Sequence, residues 1–277
     1  MAADAQLNPV GVFDSGVGGL SVLRAIRQQL PGEAVIYVAD QAHVPYGPRP
    51  LEQVRQFSEG ITRFFLSQSC KIIVVACNTA SASALHSLRQ SFPQMPFVGM
   101  EPAVKPAAET SRSGVVGVLA TPATFQGALY ASVIERFAQG VTVLQHTCPG
   151  LVAQIEAGDL ASQRTRSILE DALLPMLSQG IDTVVLGCTH YPFVIPLIEA
   201  ICGPGVRVID PAPAVARQVE RLLRERGRRS MQLASGRLQV FTTGEPGPLV
   251  GMLPELLGEA GPVEQVRWVG ERLEVAR

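Results

Sequence analysis

Residues 186–192, LGCTHYP, crowd a thiol, a hydroxyl, an imidazole and a phenol into one turn at the end of an apolar run. Residues 74–80, VVACNTA, do nearly the same, with Cys77 standing 111 positions before Cys188. A lone cysteine leaving a strand is most simply a small buried hydrophobe. Here both thiols are followed by polar residues, Asn78 and Thr79 in one case and Thr189 and His190 in the other, where packing alone would favour apolar ones. The positions after each cysteine look helical, and the N–H groups at a helix N-terminus stabilise a thiolate or a bound carboxylate. A free thiol titrates near pH ~8.5, so modest tuning reaches either protonation state. One base that takes and returns a proton leaves a stereocentre unchanged, whereas a thiolate and a thiol on opposite faces invert it.

Other groups belong to the same chemistry. His190, two positions beyond Cys188, can reach the thiol or its substrate. The Cys-x-His spacing is too short for usual zinc ligation, and His43, His86 and His146 form no local pair, so no metal is expected. DSGVGGL, residues 14–20, is a glycine-rich turn into a helix, with Asp14 and Ser15 able to cap it and a backbone able to approach an anion. Its glycine spacing is not that of a dinucleotide fingerprint. PYGPRP, residues 45–50, reads as a rigid loop that carries Tyr46 and Gly47 near the same sheet end as Asp40.

These groups need a scaffold, and short β-branched runs alternating with longer amphipathic stretches predict parallel strands joined by helices. Strands are expected at 10–14, 34–39, 72–76 and 97–99, then at 115–119, 141–145, 183–186 and 206–209. Helices are expected at 20–29, 51–68, 82–91 and 165–179. A slide of 106 lays GVFDS on GVLAT and residues 35–40 on 141–146, and a slide of 111 superposes the two cysteines. Such self-similarity predicts a duplication with about five residues inserted between the second and third strands. The expected fold is therefore α/β: two similar domains with mainly parallel sheets flanked by helices, related by a pseudo-twofold, and an active site in the cleft between them. Residues 1–100 plus 211–277 would form the first domain, with Asp14 and Cys77, and residues 101–210 the second, with Cys188 and His190.

The bulk numbers agree with an α/β globular protein: 277 residues, 47% apolar and only 5% aromatic. The first ten residues carry no basic cluster or apolar core and are neither signal nor transit peptide, and no apolar run approaches a membrane span. A cytoplasmic protein is expected. Five cysteines without a CxxC pair argue against a disulfide scaffold. A net charge of −1 offers nucleic acid no field, and the arginines of RLLRERGRR read as a solvated helix end.

DSGVGGL, PYGPRP, VVACNTASA, GVLATPATF, CPGLVAQIEAG and GCTHYPF occur in an order and spacing that resembles the bacterial glutamate racemases of the aspartate/glutamate racemase superfamily, over about residues 9–212. The resemblance implies a cofactor-independent enzyme in which Cys77 and Cys188 are the two acid/base thiols, assisted by Asp14 and His190 respectively. It implies substrate contacts at Asp14, Ser15, Tyr46, Gly47, Asn78, Thr79, Thr121, Thr189 and His190, with Asp40 and Glu156 as secondary acids. It further implies glutamate as the small-molecule substrate, a homodimer, no membrane or nucleic-acid partner, and D-glutamate made for peptidoglycan synthesis. Phe193 stands where an aliphatic residue is common, and the short stretch before Gly11 argues against activation by a cell-wall nucleotide precursor.

Three rivals follow from the same residues. A pyridoxal-phosphate racemase needs a Schiff-base lysine, and Lys71 and Lys105 are the whole supply, neither well placed. A racemase for aspartate would use the same thiols, and a redox sensor would use them without catalysis.

Overall fold

The computed structural model describes residues 6–232 and 234–276. The chain divides into two compact units, one running to Met100 and resuming at Ala212, the other Glu101–Pro211. In the first, β1 (Val10–Asp14), α1 (Leu20–Gln29), β2 (Val35–Ala39), α2 (Leu51–Ser67), β3 (Ile72–Val75), α3 (Asn78–Ser91) and β4 (Phe97–Gly99) follow one another. The first three strands are wholly buried, which is why their sequences run apolar without alternation, Asp14 at the end of β1 excepted.

The second unit contains α4 (Val104–Thr110), β5 (Val115–Ala120), α5 (Pro122–Gln126), α6 (Ala128–Phe137), β6 (Thr142–His146), α7 (Leu151–Glu156), α8 (Gln163–Ser178), β7 (Thr183–Gly187), α9 (Ile195–Cys202) and β8 (Arg207–Ile209). Its sheet runs β6-β5-β7-β8, the same order as β2-β1-β3-β4 in the first unit, with every pair parallel. The helices α4 to α7 span only five to ten residues, too short to display a helical period in sequence.

Register corrects one detail of the internal repeat. Gly11 lies opposite Ile36 and Ile73, and Gly117 opposite Leu144 and Val184. The third strands are offset by 111, as the cysteines suggest, but the second strands by 108 and not 106. The added residues are thus shared between two connections. A slip of two keeps every side chain on its face, so the apolar pattern alone does not expose it.

The last segment, α10 (Ala212–Glu225), β9 (Leu238–Thr242), α11 (Pro246–Leu256), β10 (Val263–Val269) and β11 (Arg272–Val275), extends the first sheet in the order β2-β9-β10-β11. Only β11 runs antiparallel to its neighbour. The arginines near the end of α10 meet Glu220 and Glu225 on the surface, as a solvated helix end should. Among the described residues no helix is long and apolar enough to cross a membrane.

Candidate active site

Because β2, β1 and β3 are parallel neighbours, the residues that follow them share one edge of the sheet, where open α/β sheets carry their sites. Asp14, the last residue of β1, is fully buried; its Oδ1 accepts the Gly16 N–H at 2.9 Å and the Ser15 hydroxyl at 3.3 Å. The Tyr37 hydroxyl donates to the Gly16 carbonyl at 2.6 Å and fixes the turn. Gly19 is required for space: a Cβ there would lie 2.6 Å from Asp14 Cβ and 2.8 Å from the Tyr37 oxygen. Gly19→Ala is therefore expected to cost about 1–3 kcal/mol of stability by overpacking and to displace Asp14. Urea denaturation alongside kinetics checks this; an unchanged midpoint with full activity would contradict it.

Cys77 follows β3 in extended conformation and is itself the N-cap of α3, with no side chain bonded to the first turn. The helix begins at Asn78, ahead of the apolar pattern that starts near residue 82, so Asn78 and Thr79 lie buried in its first turn. Asn78 is 3% exposed, and among the described residues neither its Oδ1 nor its Nδ2 has a hydrogen-bond partner. Each such atom costs about 1–3 kcal/mol, a burden that fits a ligand bringing both a donor and an acceptor. Asn78→Leu should accordingly leave the unliganded fold as stable or more stable, by about 1 kcal/mol, while activity is lost. Destabilisation in urea with activity retained would refute that reading.

Tyr46 and Gly47 lie in the buried part of the loop between β2 and α2. The Tyr46 hydroxyl donates to Asp40 Oδ2 at 2.6 Å. Burial first, then Asp40, Cys77 and Asp14, holds this phenol well above its usual range, so it remains a donor at neutral pH.

In the second unit Cys188 follows β7, but no α-helix starts there. A turn and a short 3-10 segment, Tyr191–Val194, precede α9. Pro192 and Pro196 lack the N–H groups a continuous helix would need, so the helix-start reading applies to Cys77 and not to Cys188. Cys188 instead has an imidazole: His190 Nδ1 lies 3.7 Å from Sγ, and Nε2 lies 2.6 Å from Oε1 of Glu156, the last residue of α7. Burial alone would lower the His190 pKa, yet its bonds to Cys188 and Glu156 and their charges outweigh this and hold it well above the usual value. Thr189 is buried beside it. Thr121, which follows β5, caps α5 by accepting the Thr124 N–H at 3.3 Å.

The strand registers make the two half-sites comparable. Ser15 corresponds to Thr121, Cys77 to Cys188 and Thr79 to His190, while Asp14 corresponds to Ala120. The end of β5 thus carries no carboxylate, and the proton-bearing neighbour of its thiol sits in the turn after β7. Burial pushes the thiols of Cys70 and Cys148 up to about 12 and that of Cys202 to about 11, so these three stay protonated at neutral pH. No cluster of three or more metal-ligating side chains occurs among the described residues. His43, Thr243 and Trp268, gathered around Asp40, carry no sequence signal that would have singled them out.

Parallel α/β units, each with a buried cysteine just past a strand end, are the frame of an α/β enzyme that carries its site at the sheet edge. The sequence profile of the Asp/Glu/Hydantoin racemase family matches residues 10–219. The chain belongs to that family and is an isomerase. A glutamate racemase from Roseiflexus sp. (strain RS-1) is 48% identical over 264 residues, 95% of this chain and 97% of that protein. The crystal structure of glutamate racemase isoform RacE1 from Bacillus anthracis superposes with a TM-score of 0.85 at 33% identity, covering 94% of this chain and 97% of that one. The Escherichia coli glutamate racemase in complex with L-glutamate and the activator UDP-MurNAc-ala gives 0.83 at 31% identity, covering 95% and 100%.

Proposed function

We propose that this chain interconverts L- and D-glutamate by two-thiol proton transfer at the α-carbon, without a cofactor. The observation that carries the reading is the register equivalence of two buried thiols, Cys77 and Cys188, whose partners differ. One thiolate takes the α-proton from one face while the other thiol gives a proton to the opposite face, and the reverse direction exchanges their roles. Asp14 assists Cys77, and His190, held by Glu156, assists Cys188. The orphaned amide of Asn78, with Ser15, Tyr46, Gly47, Thr79, Thr121 and Thr189, supplies the polar contacts that an amino acid with two carboxylates requires. Relatives named glutamate racemase, and the L-glutamate bound by the Escherichia coli enzyme, support glutamate as that amino acid. D-glutamate for peptidoglycan, made in the cytoplasm, is the corresponding physiological role.

Incubating each enantiomer of glutamate in deuterated water tests the mechanism. The product formed from either enantiomer should carry deuterium at the α-carbon, with colourless protein and no added cofactor. Product that retains its own α-proton throughout would overturn the two-thiol scheme. Faster turnover of aspartate than of glutamate would overturn the substrate.

A further inference from the structure

Asp40 follows β2 and is fully buried. Its Oδ2 accepts the Tyr46 hydroxyl at 2.6 Å and His43 Nδ1 at 2.9 Å, and its Oδ1 accepts the Thr243 hydroxyl and Trp268 Nε1, each at 2.8 Å. An ionised carboxylate offers about four lone-pair sites, and here four side chains occupy them. A carboxylate so saturated is poorly placed to receive a substrate proton and well placed to hold its donors still.

Two of those donors come from far along the chain. Thr243 lies just past β9 and Trp268 in β10, both beyond residues 10–219 that the family profile covers. The Trp268 indole is wedged over Gly60 of α2, where a Cβ would lie 2.5 Å from the ring. It also flanks Phe57 at 5.7 Å and His43 at 5.4 Å between ring centroids, and His43 stacks on Phe57 at 3.8 Å. Tyr46 completes the cluster, 5.7 Å from Phe57. Among the described residues the second unit has no counterpart: the position matching Asp40 by strand register is Cys148, and no strand lies beyond β6 in its sheet.

We propose that Trp268, Thr243 and Asp40 are positioning residues for the half-site of Cys77: strands β9 and β10, acting through the Asp40 carboxylate, hold Tyr46 and Gly47 in the conformation that binds substrate, and Asp40 itself transfers no proton. The identity of that substrate rests on the glutamate reading above. The C-terminal segment then has a task in the reaction besides closing the sheet.

Trp268→Phe keeps an aromatic ring but removes the N–H, and Thr243→Val removes the other Oδ1 donor while keeping shape. Hydrogen exchange of the backbone amides of residues 41–50 should speed up by about five- to tenfold in either variant, the loss expected for one hydrogen bond, with Ala42 set aside in Thr243→Val because its N–H donates to that hydroxyl directly at 2.9 Å. On glutamate the KM should rise by about three- to tenfold with kcat changed less than about twofold, since a binding contact common to ground and transition states is weakened. Combining Trp268→Phe with Tyr46→Phe should raise KM no further than Tyr46→Phe alone, because the tryptophan acts through that hydroxyl. Unchanged exchange in 41–50, additive effects in the double variant, or a large fall in kcat at constant KM would each overturn the proposal. If Trp268→Phe fails to fold, Thr243→Val carries the same test. Should the wild-type protein prove inactive on glutamate, the substrate reading falls, and the exchange measurement decides the positioning role by itself.

Discussion

Cys77→Ala and Cys188→Ala are each expected to lower kcat/KM for glutamate racemisation by about 10³–10⁴-fold or more, the range lost with an essential acid/base group. The loss should be equal in both directions for either variant. Enantiomers have equal free energies in water, so the ratio of forward to reverse kcat/KM is fixed whatever the enzyme, and removing the thiol on one face must slow both directions alike. The double variant should be little worse than either single one, because the two thiols act as a unit. Stability should change by only about 1 kcal/mol, since each substitution deletes one small buried sulfur. Polarimetry with both enantiomers measures the rates, and circular dichroism confirms the fold. Normal racemisation by both single variants would end the two-thiol mechanism.

The second large effect concerns the imidazole. His190→Asn should reduce kcat/KM by about 10²–10³-fold, because Cys188 loses the group that shares its proton. Glu156→Gln should cost less in rate but should change how stability depends on pH. With Glu156 present, the folded-state pKa of His190 lies above its unfolded value. The protonated ring therefore stabilises the folded state in full below the unfolded value near pH ~6.5, and that contribution is lost as pH rises through the higher folded value. Wild-type stability should thus decline relative to Glu156→Gln between neutral and alkaline pH. Urea denaturation of both proteins across that window is the check, and parallel stability curves would contradict the assignment.

Much of this architecture is written locally. Runs such as VGVF and IIVV announce buried parallel strands because no exposed polar residue alternates with their apolar ones, and residues 20–29 announce α1 through one apolar face. The thiol pair is legible because polar residues interrupt packing patterns twice in the same way. The helix-start reading failed at Cys188, where Pro192 and Pro196 exchange a helix for a turn. The 106 slide failed by two residues because a shift of two leaves the faces of a strand unaltered.

By itself, then, the sequence determined the α/β class, the two cysteines, the glycine-rich turn at Asp14 and the motifs that resemble the racemases. Only the tertiary structure decided which polar groups meet. It joined Glu156 to His190 across 34 positions and Trp268 to Asp40 across 228, and it left the amide of Asn78 buried with no partner among the described residues. Strands and helices repeat every two or 3.6 residues and so leave a period in the sequence. A single hydrogen bond closed over a long loop has no period, and its partners become visible only when the folded sheet brings them within reach.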